Sequence, residues 1–227
     1  MLHAIASRKT RHHRRYHGER DGSEAKVSEE DEITSTVLGP LEFMGVEDGF
    51  QFWQSVIKNS GTAFSLPETP PDQIRYEFWP RRQASDNSGR IEPDLLVTLR
   101  WPDALSRWLL VELKWRAPLS GQDQLHRQWL NFLNAEERAN ALHIFIAPTI
   151  AAGAEAISHS NVWGKRGLSL ISWLQIRSTL RELSRKKSGI GYWSAISDHF
   201  LEAIGIRRYH GIRNIEYNEI DIPMQLP

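Results

Sequence analysis

Two strand-like segments near the middle of the sequence carry ionisable residues that could act together. Asp94, preceded by a proline, begins the first segment, and Glu112 and Lys114 lie near the end of the second. Because successive side chains of a strand point to opposite faces, Glu112 and Lys114 share a face. A turn centred on Ala104 would pair Asp94 with Lys114 on that same face. In an antiparallel hairpin the numbers of two opposite residues have a constant sum. If that sum were odd, Asp94 would lie on the other face.

These residue types point to a site for a divalent cation. Burying two carboxylates together is unfavourable unless positive charge neutralises them. Lys114 supplies one positive charge, and a metal ion bound by Asp94 and Glu112 would supply the rest. Oxygen ligands suit Mg²⁺, and Mn²⁺ as its substitute. The alternative is a structural salt bridge between Lys114 and either carboxylate, since each motif alone is common by chance.

Hydrophobic periodicity divides the chain into helices and strands. Strand-like segments cover about 74–79, 94–101, 108–115, 142–147 and 168–171. Helix-like segments cover about 29–44, 49–59, 122–137, 150–158, 173–186 and 192–204. Gly39-Pro40 is expected to end or kink the first helix, and the second and third strands form a hairpin. The order helix, three strands, helix, strand predicts an α/β fold with a mixed β-sheet flanked by helices.

Apolar patterns assign parts of this fold to the core. Helix 122–137 has a stripe formed by Leu125, Trp129, Phe132 and Leu133. Strand 142–147 is nearly all apolar, which is typical of a strand buried on both faces. Aromatic residues after position 150 either fill the core, as is more frequent, or form a partner surface: Trp163, Trp173, Tyr192, Trp193 and Phe200.

The Pro-Asp pair, followed after a hairpin by Glu112-Leu113-Lys114, resembles the signature of the PD-(D/E)xK, or restriction-endonuclease-like, nuclease superfamily. The element order over about residues 28–147 resembles the core of that superfamily as well. The resemblance implies a Mg²⁺-dependent nuclease that hydrolyses phosphodiester bonds, in DNA rather than RNA because most members cut DNA. It also implies that Asp94, Glu112 and the backbone carbonyl of Leu113 bind the metal, and that Lys114 orients or activates the attacking water.

A further metal-binding carboxylate in this superfamily commonly comes from the N-terminal helix. At 100° per residue, Glu30 falls in the middle of the helix face that carries Ile33 and Val37, and Glu32 lies well off it. We therefore predict Glu30 as the fourth catalytic residue, with Glu32 as the alternative. The acidic cluster could equally do no more than complement the positive N-terminus of the helix.

Three residues near the predicted site are candidates for contact with nucleic acid. Arg90 and Arg116 border the two motifs and could bind backbone phosphates, or be ordinary surface arginines. Gln128, with Phe132 four residues later, resembles a glutamine–aromatic pattern in branches of the superfamily. It flanks the buried stripe, so it could point toward the site, although an exposed helix glutamine is the more frequent explanation.

Composition limits the class of protein. The 227 residues include no cysteine, which excludes disulfides and thiolate-bound zinc. No apolar run reaches the ~20 residues of a membrane span, and no apolar segment marks a signal peptide. We expect a cytoplasmic protein with no membrane partner.

The chain divides into three predicted parts. Residues 1–27 form a basic and polar arm with too few apolar residues to fold, so we expect disorder there; the arm could contact phosphates or be a solvated tail. Residues 28–184 are the predicted nuclease core, and residues 185–227 are a helical C-terminal extension of the same domain.

The expected partner is DNA, and a homodimer or a partner protein would fit a chain whose formal net charge is zero. Family-level analogy suggests a restriction, phage-defence or mobile-element role. The alternative function is a catalytically inactive nucleic-acid-binding or assembly module on the same fold.

Overall fold

A computed structural model of the protein describes residues 29–87, 89–116, 118–121 and 123–207, without the side chains of Glu29 and Arg166. The predicted N-terminal arm and the end of the predicted C-terminal extension, residues 208–227, lie outside the described residues. Among the described residues, no helix is long and apolar enough to cross a membrane.

Five strands form one mixed sheet. They are β1 (Gln73–Phe78), β4 (Leu95–Arg100), β5 (Ser106–Leu113), β6 (Ala141–Ala147) and β7 (Leu168–Ser172), and they lie in this order across the sheet. The first three pair antiparallel, and β6 and β7 continue the sheet in parallel with β5. Two short strands, β2 (Arg82–Gln83) and β3 (Arg90–Ile91), pair with each other apart from it.

Helices flank this sheet, as the sequence predicts. They are α1 (Glu29–Val37), α2 (Val46–Asn59), α3 (Gln124–Arg127), α4 (Ala135–Ala139), α5 (Ala151–His159), α6 (Trp173–Leu183) and α7 (Gly189–Ala203). Short 3-10 turns cover Gly39–Phe43 and Gly164–Arg166, and α3 continues as a π-helical turn, Gln128–Phe132. The mixed sheet flanked by helices confirms the predicted α/β class, and α1 ends just before Gly39-Pro40, as expected.

The prediction of one continuous helix over 122–137 is wrong, because the helical backbone ends at Leu133. That residue has extended backbone angles, φ −85° and ψ 139°. Asn134 then caps a new helix, α4: its side chain accepts from the backbone N–H of Glu137, and the Glu137 side chain accepts from the backbone N–H of Asn134. This reciprocal capping box satisfies donors that would otherwise lack a partner, so it favours a new helix start at this point.

The predicted register of the hairpin is wrong by two residues. Leu95 pairs with Val111, so extending the ladder by one residue places Asp94 opposite Glu112 rather than Lys114. The difference comes from the turn, where Ala104 adopts a left-handed conformation with φ 57° and Ser106 already belongs to β5. A two-residue shift preserves the side-chain alternation, so Asp94 and Glu112 remain on the same face.

Separate hydrophobic clusters cover the two faces of the sheet. On one face, Leu95, Val97 and Val111 belong to a cluster that includes side chains of α1, α2, α6 and α7. On the other face, Leu96 and Leu110 pack with the predicted stripe of α3 and its π-helical turn. The side chains of both hairpin strands therefore alternate between the faces with the expected period of two, and β6 is buried along its whole length, as predicted.

Of the five aromatic residues considered for the core or a partner surface, four belong to the core. Trp163, Trp173, Trp193 and Phe200 are buried, whereas Tyr192 is 70% exposed. The core interpretation is therefore confirmed for those four residues, and they are not available as a partner surface.

Candidate metal centre

The predicted site residues converge at one end of the hairpin. Asp94 immediately precedes β4, Glu112 is the penultimate residue of β5, and Lys114 follows that strand. The first turn of α1 brings Glu30 to the same place. One carboxylate oxygen from each of Glu30, Asp94 and Glu112 lies within 4.8 Å of the other two, an arrangement that could hold a metal ion.

The backbone beyond β5 is held in place although it no longer belongs to the strand. The backbone N–H of Lys114 donates to the carbonyl of Ile146 on β6 at 2.8 Å. The indole N–H of Trp173, at the start of α6, donates to the carbonyl of Lys114 at 3.0 Å. These contacts fix the position from which the Lys114 side chain reaches the carboxylates.

Lys114 bridges two of the carboxylates. Its Nζ lies 2.7 Å from Oε1 of Glu30 and 2.7 Å from Oε1 of Glu112. It also donates to the carbonyl of Leu113 at 3.2 Å. Burial disfavours the charged ammonium, but the negative charges of Glu112 and Glu30 outweigh burial and raise the pKa of Lys114 above its usual value. The side chain therefore carries a full positive charge.

Glu112 is almost fully buried, at 1% exposure, and two glutamines bind it. Gln124 Nε2 donates to its Oε1, and Gln128 Nε2 donates to its Oε2, each at 2.6 Å. Gln124 is held in turn by the backbone N–H of Ser120, which donates to its Oε1 at 2.7 Å. The two amides fix the plane of the Glu112 carboxylate.

Asp94 is buried beside another carboxylate. Its Oδ2 accepts from the backbone N–H of Leu113 at 2.7 Å. Burial, and then the negative charge of Glu112, raise the pKa of Asp94 to about 8, against the opposing effects of the Leu113 N–H and Lys114. Without a bound cation, burial and the charge of Glu112 favour the protonated form of this carboxyl group.

Glu30 completes the group from the opposite layer of the fold. Burial raises its pKa, while Lys114 and the backbone N–H of Trp115, which donates to Oε2 at 3.2 Å, act against that shift. Glu32, the alternative from the sequence, is not a member of the three-carboxylate group found among the described residues.

The charges of the centre suit a divalent cation. With all three carboxyl groups ionised against one ammonium group, two negative charges remain, which a divalent ion would neutralise. Carboxylate oxygens are the ligands that Mg²⁺ and Mn²⁺ prefer. The residues present therefore fit such an ion. The ligand role of the Leu113 carbonyl stays a prediction.

The three candidates for nucleic-acid contact differ in their exposure and in their position relative to the site. Arg90 is exposed and lines an open cleft together with Arg127, Gln124 and Gln128. Arg116 is exposed close to Lys114 in the chain. Gln128 is only 2% exposed, so its description as an exposed helix glutamine is wrong.

Sequence reasoning missed the contact of Gln124 with Glu112 and the position of Arg127 in the cleft. For the contact of Gln124 with Glu112, the available signal was the spacing of four residues between Gln124 and Gln128, because this spacing places both amides on one helix face. No comparable signal pointed to Arg127.

Comparison with known proteins adds no relative. No family model matches the chain, and no curated protein or solved structure shows significant similarity to it.

Proposed function

We propose that the protein is a metal-dependent nuclease of the PD-(D/E)xK type that hydrolyses phosphodiester bonds, with DNA as its substrate. The observation that carries this proposal is the convergence of Asp94, Glu112 and Lys114 with Glu30 in one partly enclosed group. The antiparallel hairpin, the following helix and the parallel β6 support the restriction-endonuclease-like core.

Mg²⁺ is the proposed cofactor, with Mn²⁺ as a substitute. Glu30, Asp94, Glu112 and the carbonyl of Leu113 would hold it. When bound, the ion supplies Lewis-acid stabilisation of charge on the phosphate and lowers the pKa of a bound water. Ligation requires the ionised form of Asp94, so this residue must release its proton.

The remaining roles belong to the protein's own side chains. The ammonium of Lys114 would orient the attacking water and stabilise negative charge that builds up on phosphate oxygens. Gln124 and Gln128 hold the Glu112 carboxylate in one orientation, so that little reorganisation is needed during reaction.

The proposed substrate contacts lie at the cleft lined by Gln124 and Gln128, the two glutamines that bind Glu112. Arg90, which lines this cleft, would bind a backbone phosphate, and the exposed Arg116 would bind another. Gln128 was proposed as a further nucleic-acid contact, but its bond to Glu112 supports a role in orienting that carboxylate.

The biological setting rests on analogy with the superfamily. A restriction, phage-defence or mobile-element role, a cytoplasmic location, and a homodimer or partner protein stay predictions. The competing proposal, an inactive nucleic-acid-binding or assembly module, predicts neither metal binding nor cleavage.

A cleavage assay separates these proposals. Plasmid DNA, linear single-stranded DNA and RNA are incubated with the protein in Mg²⁺, Mn²⁺ or EDTA, and Lys114→Ala is compared with Lys58→Ala, which changes an exposed lysine of α2. The proposal predicts cutting that EDTA and Lys114→Ala abolish and Lys58→Ala preserves. Cutting that persists in Lys114→Ala or in EDTA would contradict it.

A further inference from the structure

Trp79, the residue after β1, forms hydrogen bonds with two segments, the start of β4 and the first turn of α1. These segments bring Asp94 and Glu30 to the centre. Its backbone N–H donates to the carbonyl of Asp94 at 2.9 Å. Its indole N–H donates to Oδ1 of Asp31 at 3.0 Å. Asp31 is the neighbour of Glu30 in the first turn of α1. One residue therefore joins the start of β4 to the helix turn that carries Glu30.

The backbone of Trp79 has an unusual conformation. Its φ is 47°, in the left-handed region that bulky residues rarely adopt, and Pro80 follows it. Such a conformation persists when surrounding contacts fix it. Here both hydrogen bonds and a ring contact with Phe78, at 5.8 Å between centroids, do so.

Glu30 and Asp94 depend on different partners at the end of β5. Asp94 accepts from the backbone of Leu113, whereas Glu30 accepts from Lys114 and from the backbone of Trp115. Glu30 also lies in the first turn of a nine-residue helix, where the backbone is least constrained by its own hydrogen bonds. Asp31, its neighbour, is linked to the Asp94 segment through Trp79, and this link limits how far Glu30 can move.

We infer that Trp79 is a positioning residue that ties the first turn of α1 to the start of β4 and so sets the spacing of Glu30 and Asp94. The inference deepens the proposed function, because this spacing defines the proposed metal site. Trp79 itself contacts no ligand in this account; it acts through Asp31 and the backbone of Asp94.

The first test needs no metal. Trp79→Phe removes the indole donor, Asp31→Ala removes its acceptor, and Asp31→Asn keeps an acceptor oxygen. Amide hydrogen exchange is followed at Trp115, whose N–H donates to Glu30, and at Lys114, whose N–H donates to Ile146 and serves as the internal control. Trp79→Phe and Asp31→Ala should speed exchange at Trp115 about fivefold, as expected for one lost hydrogen bond.

The Lys114 amide should keep its wild-type exchange rate in both variants, and Asp31→Asn should resemble wild type at both positions. Unchanged exchange at Trp115 would overturn the inference. Equal acceleration at both amides would also overturn it, because general destabilisation would then explain the result.

The second test measures Mn²⁺ affinity by calorimetry. Trp79→Phe and Asp31→Ala should each weaken binding several-fold, and the double variant should be no weaker than either single one, since both changes remove the same bond. Asp31→Asn should bind like wild type; a loss as large as that in Asp31→Ala would identify Asp31 as a ligand and contradict the positioning role. A wild-type protein that binds no Mn²⁺ would refute the proposed function, whereas the exchange data would still decide the role of Trp79.

Discussion

The Nζ of Lys114 lies 2.7 Å from Oε1 of Glu112, two residues earlier on the same face of the hairpin. The same nitrogen lies 2.7 Å from Oε1 of Glu30. A positive charge is therefore already placed between two of the three carboxylates that we propose as metal ligands. In this arrangement, Lys114 and a bound cation would share the same oxygens and would therefore compete for them.

This competition predicts an unusual result for Lys114→Met. Removing the ammonium should tighten Mn²⁺ binding several-fold, because two carboxylates lose their internal counter-charge, while cleavage is lost. Isothermal titration calorimetry measures the affinity, and Lys58→Met on the surface of α2 is the matched control. Weaker or unchanged affinity in Lys114→Met would show that Lys114 does not compete for these oxygens.

A second prediction concerns the two glutamines that bind Glu112. Gln128→Leu leaves a buried carboxylate oxygen without its donor, so the free energy of unfolding should fall by about 1–3 kcal/mol. Gln124→Leu should lower the free energy of unfolding by a smaller amount, because Gln124 is less buried and Oε1 of Glu112 keeps its contact with Lys114.

Urea unfolding without metal measures both changes, and cleavage rates should fall in both variants as Glu112 loses its fixed orientation. An equal loss of stability in the two variants would contradict the difference in burial. Wild-type cleavage rates in both would remove the proposed role of the amides.

A third prediction comes from His143 on β6. This residue is fully buried; its Nδ1 accepts from the indole of Trp163 at 3.0 Å, and its ring stacks on Trp129. Burial, and then the proximity of His126, lower the pKa of His143 from 6.5 to about 3. The folded protein therefore keeps this imidazole neutral in conditions where the unfolded chain binds a proton.

The sign of the pH effect follows from linkage. Above pH 6.5 the residue is neutral in both states and contributes nothing to the pH dependence. Between pH 6.5 and 3 the unfolded state binds the extra proton, so stability falls as the pH falls, by up to about 1.4 kcal/mol per pH unit. His143→Gln, which cannot titrate, should flatten this slope in urea unfolding.

His199→Gln, which changes an exposed histidine of α7, serves as the control and should keep the wild-type slope. Parallel slopes in wild type and His143→Gln would contradict the buried, neutral state of His143.

The sequence was sufficient to predict the faces of the hairpin but not its register. Side-chain alternation has a period of two, so Asp94 and Glu112 share a face in any register with an even sum. The register itself depends on the turn, and a left-handed Ala104 is not foreseeable from residue type, since alanine rarely adopts that conformation.

The helix after the hairpin shows a second limit. Its apolar stripe was correctly predicted as buried, because helical periodicity survives a local change such as the π-helical turn. The break at Leu133 was missed although the capping residues Asn134 and Glu137 are visible in the sequence. A continuous amphipathic pattern was given more weight than this local signal.

Tertiary contacts explain what the sequence could not show at the site. The helical face of Glu30 was predictable, but its contact with Lys114 depends on how α1 packs beside the end of β5. The bond of Gln124 to Glu112 and that of Trp79 to Asp31 likewise join elements whose relative placement no local pattern determines.

The most direct test of the central claim is Mn²⁺ binding by wild type and Asp94→Asn, measured by calorimetry and paired with DNA cleavage. The exposed Asp72→Asn is the matched control. The account predicts that wild type and Asp72→Asn bind Mn²⁺ and cut DNA, and that Asp94→Asn loses both properties while remaining folded. Equal Mn²⁺ affinity in Asp94→Asn, or a wild-type protein that binds no divalent cation, would contradict it.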